Sequence, residues 1–270
     1  MMKKLLYLLF LIIVATLNLH AQDEEMPDKK GLFMSLGFGG YFANSNTAVM
    51  YDGVSKYSLI GIGYYFTMEP FKTQFEEYFM YPYEIVELPQ SMKYRPGRDV
   101  SWQLGYRFED GSAFYAEANF TQLNIQDAFV IAIDDPNRKS PEKLLQQIPI
   151  LGKEQRLNIN TGFHIPFIHE KGFTAYIPLF ANINSTKLES NYFVINNQQY
   201  QIVHNFPGLT NTRIGGMGYG GGSGVGVKMK FNKSFSLDVG YNLIYSRIRM
   251  TDELQPFGVH HSILAKIVWG

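Results

Sequence analysis

The chain has 270 residues, 24 Lys+Arg against 24 Asp+Glu, and no cysteine. Zero net charge offers no basic field for nucleic acid and no charged disordered tail. Without cysteine there is no disulfide framework, no thiolate metal site and no lipid-modified cysteine.

The first segment, residues 1–21, begins Met1-Met2-Lys3-Lys4, continues through an apolar run from Leu5 to Val14, and has small residues at Ala15 and Ala21. It reads as a secretory signal peptide cut after Ala21, because the run is shorter than the roughly 18–20 residues a spanning helix needs. Residues 22–30 are expected as a short periplasmic segment and residues 31–270 as a single domain.

Eight segments of about ten residues then alternate with period two, the signature of strands with two unlike faces. Gly31–Phe42 sets Leu32, Met34, Leu36, Phe38 and Phe42 against Ser35, Gly37 and Gly39. Residues 99–108 are the cleanest: Val100, Trp102, Leu104, Tyr106 and Phe108 against Asp99, Ser101, Gln103, Gly105 and Arg107. The others are residues 112–123, 155–167, 173–184, 222–231, 235–250 and 259–269. A phase slip near Ile244 predicts a bulge in the seventh. Weaker alternation in residues 58–68 and 191–203 would bring the count to ten if both span.

The connections alternate in length. Short turns at residues 109–111, 169–172 and 232–234 separate long stretches at 43–98, 124–154, 185–221 and 251–258. Short turns at one end and long loops at the other are the pattern of an up-and-down membrane barrel, whereas a soluble sandwich has no reason for it. The polar faces agree, being rich in Asn, Ser, Thr and Gly. Their charges carry both signs: Asp99, Arg107, Glu117, Arg156, Lys228, Asp238 and Lys266. Buried charge is costly unless paired, so these seven are expected as a self-neutralising network in the lumen.

The stretch from Ile214 to Phe231 contains G-x-G-x-x-G at Gly216, Gly218 and Gly221. A phosphate loop would need a strand before it and a helix after it. Here a turn-rich loop precedes and an alternating strand follows, so the phosphate reading fails. The glycines are instead expected to make room for Tyr176 and Phe180 on the neighbouring strand, with Gly224 and Gly226 facing inward, and to form a flexible strand entrance at residues 215–221.

Residues 99–108 with the Asp110-Gly111 turn, residues 155–167, residues 235–243 and the closing strand 261–269 resemble the small outer-membrane β-barrels of Gram-negative bacteria, of the OmpA transmembrane-domain and OmpX type. Trp269 resembles the terminal aromatic signal of that group, although Gly270 follows it. The long first loop and the Tyr/Phe/Asn-rich composition look like the Bacteroidota members. The resemblance implies an all-β antiparallel barrel in the outer membrane, contact with outer-membrane lipid and insertion by barrel-assembly machinery. Some members are subunits of secretion or assembly complexes, which would make another outer-membrane protein the partner. With no further residues after the last strand, a cell-wall-binding domain is not expected.

No catalytic, cofactor or metal site is expected. His260 and His261 are adjacent on a strand and point to opposite faces. His164 reads as a lumen filler, and Ser223 has no base or orienting group to complete a nucleophile. The Asn184-Ser185-Thr186 sequon is discounted in a bacterial chain. In the second long connection, Ser140, Pro141 and the residues up to Ile148 predict a capped short helix. In the first, Phe71, Phe75, Tyr78, Phe79, Tyr81 and Tyr83 are a candidate partner surface, the alternative being a mini-core packed over the barrel mouth. A structural or partner-binding barrel is the expected function, with an accessory subunit or a small pore as alternatives.

Overall fold

The computed structural model describes residues 30–58, 60–90, 92–140, 142–170, 172–202, 214–232 and 234–270. The signal-peptide and periplasmic readings, Pro141, and the loop at residues 207–212 lie outside these residues.

Among the described residues ten strands form, and eight of them close into a ring. They are β1 (Gly31–Phe42), β2 (Tyr83–Glu87), β3 (Gly97–Arg107), β4 (Ala113–Ile133), β5 (Leu144–Glu170), β6 (Phe173–Ile195), β7 (Gln198–Gln201), β8 (Met217–Lys230), β9 (Phe235–Arg247) and β10 (Phe257–Trp269). The pairing order β4-β3-β1-β10-β9-β8-β6-β5 returns from β5 to β4, and every pair is antiparallel. Closure is made by β1 and β10, from Met34 opposite Trp269 to Phe42 opposite His261. The protein is an eight-stranded up-and-down transmembrane barrel.

Alternation decides which way each side chain faces. Trp102, Leu104 and Ile159, which a sandwich would bury together, stand on the outer wall, and Phe38, Phe120 and Ile267 leave 63%, 58% and 57% of their surface uncovered. On β9 the outward row runs Phe235, Leu237, Val239, Tyr241, Leu243 and Tyr245, about the length of strand that crosses a tilted bilayer. A continuous apolar wall of this extent requires lipid rather than water. Among the described residues, no helix is long and apolar enough to cross a membrane.

The short turns lie at one end. In the β3–β4 turn Asp110 Oδ1 accepts from the Ser112 backbone N–H at 3.0 Å and the Ser112 hydroxyl at 2.6 Å. Gly111 takes φ 81°, a left-handed conformation that glycine adopts at no steric cost. In the β8–β9 turn Asn232 Oδ1 accepts from the N–H groups of Ser234 and Phe235, both at 2.8 Å.

The opposite end departs from the sequence expectation. β4 and β5 run 21 and 27 residues and continue as a hairpin far past the apolar wall. The helix expected up to Ile148 is therefore strand from Leu144 onward, paired from Ile133–Leu144 to Ala128–Pro149. Ser140 Oγ still accepts from the Glu142 N–H at 3.3 Å, but pairing with β4 and burial of Ile148 and Ile150 override that local signal. Residues 58–68 do not span: they include helix α1 (Ile62–Thr67), followed by α2 (Phe71–Phe79). Within residues 191–202, the end of β6 meets β7 through Asn196-Asn197, both at positive φ, the backbone that tight hairpins favour. No bulge occurs at Ile244, where β9 keeps continuous register with β8 and β10. Ile244 simply points inward among Tyr41, Leu123 and Phe180.

The glycine-rich strand is regular from Met217, so residues 217–221 are ladder and not a loose entrance. Tyr176 stands opposite Gly226 and Phe180 opposite Gly222, two residues from the expected Gly224. A methyl on Gly226 would lie 2.3 Å from the Tyr176 ring. Gly226→Ala should cost about 1–3 kcal/mol by overpacking. Gly63→Ala, on the exposed face of α1 with open space around it, should be neutral or stabilise by up to about 1 kcal/mol. Urea unfolding of both variants in lipid vesicles checks the contrast.

Candidate functional site

The inward faces of the strands build a filled interior. Nearest the short turns, the Arg107 guanidinium lies over the Phe33 ring, 5.3 Å from its centroid, a cation–π contact. His164 sits between Tyr115 and Tyr176, with ring centroids 4.2 Å from each. The Tyr176 hydroxyl donates to the Asp238 carboxylate at 2.7 Å, and Lys228 stands opposite Asp238 across the β8–β9 ladder. The cavity among Arg107, His164, Tyr176 and Asp238 measures about 20 Å³, space for one water.

At mid-height Lys266 pairs with Glu117, whose other oxygen accepts from Asn119 Nδ2 at 2.9 Å. Asp99 accepts from the Thr121 hydroxyl at 2.8 Å and the Ser262 hydroxyl at 3.2 Å. Asn160, Asn182 and Asn184 form an amide chain with links of 2.7 and 3.1 Å. Asn184 is buried there, so the sequon is inaccessible.

The upper level is centred on a residue that sequence reasoning missed. Glu154 is fully buried and bonded to Arg156, and it accepts from Tyr51 at 2.7 Å and Tyr94 at 2.6 Å. The Arg156 guanidinium lies 5.1 Å from the centre of the Tyr94 ring. Burial, then the Glu154 carboxylate, hold the hydroxyls of Tyr51 and Tyr94, both outside the spanning segments, well above the ordinary tyrosine range. Glu154 lay in a stretch read as loop. Gly152-Lys153-Glu154-Gln155-Arg156 has no apolar residue to alternate with, so the inward turn of Glu154 shows only in the strand's burial pattern.

The seven charged residues singled out from sequence are all buried on the inner face. Glu117 bonds Lys266, Lys266 stands opposite Asp238 across the β9–β10 ladder, and Asp238 faces Lys228 across β8–β9, whereas Arg156 bonds Glu154 at the upper level. Of the histidines, His260 points inward, stacks on Tyr41 and accepts from the Asn44 N–H at 3.0 Å. His261 points outward to the Tyr241 hydroxyl at 2.6 Å. Ser223 donates its hydroxyl to the Pro178 carbonyl at 2.9 Å. Among the described residues, no group of three or more His, Asp or Glu could hold a metal.

Above the barrel mouth sits an apolar cap. It unites Met50, Tyr51, Ile62 and Tyr65 of the first connection, Phe129, Ile131 and Ile148 of the β4–β5 hairpin, and Phe193, Tyr200 and Ile202 of the β6–β7 end. The expected partner surface is largely spent here. Phe75 and Phe79 of α2 are buried in the cap, Phe71, Tyr81 and Tyr83 pack against it, and Tyr78 remains exposed. The i, i+4 spacing of Phe71, Phe75 and Phe79 places all three on one face of α2. Phe193 and Tyr200, stacked at 5.1 Å, receive that face.

No protein-family model matches the chain, and no curated protein matches it in sequence. Solved structures similar to this chain include the following three. Neisserial surface protein A is 10% identical over 88% of this chain and 96% of its own, with a TM-score of 0.45. OprG of Pseudomonas aeruginosa is 9% identical over 92% and 97%, with a TM-score of 0.40. Ail of Yersinia pestis is 11% identical over 89% and 100%, with a TM-score of 0.35. The fold of this chain stands on its own closed strand pairing.

Lys266→Met should cost about 3–5 kcal/mol, since it leaves the buried Glu117 without its cation. Glu117→Gln together with Lys266→Met should recover a large part of that loss. A double-mutant cycle on unfolding in lipid vesicles reads the coupling, and additive costs would show that the two side chains do not depend on each other.

Proposed function

We propose that this chain is a non-enzymatic integral barrel of the bacterial outer membrane, sealed along its axis, which acts through what its long-loop end presents outside the cell. The observation that carries this reading is the occupied lumen: paired charges, stacked rings and an apolar cap fill the path that a pore would need. Export by the N-terminal segment and insertion by barrel-assembly machinery belong to the same reading. So does the Bacteroidota type suggested by the aromatic composition.

The presenting surface is not the face of α2. It is the exposed edge of the cap, where Met80, Val86, Leu88, Leu144 and Leu145 are uncovered. Val86 and Leu145 lie on β2 and β5, which flank β4 in the projecting sheet. An uncovered apolar edge at a water-facing rim suits a protein partner. As an accessory subunit of a larger outer-membrane assembly, the chain would instead use its lipid-facing wall around Trp102.

The purified chain should need detergent for extraction, migrate differently before and after heating, and give no current steps in planar bilayers. Sustained conductance, or recovery as a soluble periplasmic protein, would overturn the reading. Photo-crosslinkers at Met80, Val86 and Leu145 should capture a partner in cells, while one at Trp102 should capture lipid. A protein captured at Trp102 alone would identify an accessory subunit.

A further inference from the structure

On the outer wall just above the apolar belt, four adjacent strands present Arg98, Gln122, Gln155 and Lys187 in one pairing row: Arg98 opposite Gln122, Gln122 opposite Gln155, and Gln155 opposite Lys187. These side chains line a groove of about 470 Å³ whose floor is Phe38, Val100, Phe120 and Leu157. On the far side of Arg98 the row passes through Gly40, which has no side chain, to the apolar Ile263. Lys153 stands one outward position higher on β5 and is also exposed.

The charges in this row are uncompensated. Lys30, Lys56, Lys72, Lys143 and Arg249 each hold a carboxylate. Arg98, Lys153 and Lys187 make no ion pair among the described residues, and neither does the neighbouring Glu189. Lys93, Arg95, Arg138, Lys139 and Arg247 likewise make no ion pair among the described residues, so what sets this row apart is that its cations stand in line over an apolar floor on a chain of zero net charge.

We propose that this groove seats one lipid of the outer leaflet whose headgroup carries two phosphates. Its acyl chains would lie on the Phe38–Val100–Phe120–Leu157 floor. Arg98 and Lys187 would each hold one phosphate, with the Gln122 and Gln155 amides donating between them. The charge pattern argues for this occupant. Three strand spacings separate the two cations, about 15 Å across the wall, which matches two separated phosphates better than one. Arg and Lys bind phosphate as charged donors, and the groove's floor continues the belt that touches lipid tails. A second protein docking here would leave both cations buried against its surface, at a cost unless it brought two acids. The inference rests on the membrane location proposed above.

The test is native mass spectrometry of detergent-solubilised protein titrated with diphosphoryl lipid A, monophosphoryl lipid A and phosphatidylglycerol. The wild type should retain one diphosphoryl lipid A in preference to the other two. Arg98→Gln and Lys187→Gln should each weaken that retention about fivefold. The double variant should lose the preference, whereas Lys72→Gln on the cap should keep it. Equal retention of all three lipids by the wild type, or an unchanged preference in the double variant, would overturn the proposal. A heat-dependent mobility shift in every variant separates this result from failure to fold. A chain that is soluble without detergent would sink the membrane reading itself, while a folded barrel without lipid preference sinks only the groove.

Discussion

The ladder between β1 and β10 is the constraint on which everything else depends. Hydrocarbon offers no partner to a backbone N–H or C=O, so a sheet that crosses it must have no edge. With residues 34–42 paired to residues 261–269, the belt has none. The two strands outside the ring, β2 and β7, pair only with the ends of β4 and β6 beyond the belt, where water can satisfy an open edge. Closure also fixes side-chain placement. Once the ring exists, every second residue faces lipid and the rest must share a narrow interior.

That interior explains both the charges and the glycines. Charged residues cannot be left solvated by bulk water there, so each acid finds a cation or hydroxyl donors: Glu117 with Lys266, Asp99 with Thr121 and Ser262, Asp238 with Tyr176, Glu154 with Arg156. Large rings on β6 are matched by missing side chains on β8. The result is a solid plug of protein, with polar groups serving as fillers that hold one another in register.

The ring was legible in the sequence because burial in a barrel wall writes itself as strict alternation. The strands around Trp102, Ile159 and Ile183 were read at their correct phase. Beyond the belt the rule changes, because both faces of the β4–β5 hairpin touch something and the sequence loses its period. Hence Leu144 to Ile148 resembled a helix start and Glu154 resembled loop. Ile244 misled for a related reason: an apolar residue facing inward mimics a slip in register where pairing is continuous. The aromatic run of α2 was visible, but which way it faced depended on Phe193 and Tyr200, more than a hundred residues away.

The cap gathers pieces of all four long connections around Phe193 and Tyr200. Those pieces belong to separate hairpins, and none contains a complete core. Their apolar residues can therefore cover one another only when all four stand on the same side of the bilayer. From that moment, withdrawing any one hairpin means dismantling a greasy knot on the outside and dragging its bare pieces back through the lipid. Insertion thus becomes a one-way event, latched by chemistry that does not exist until transit is finished.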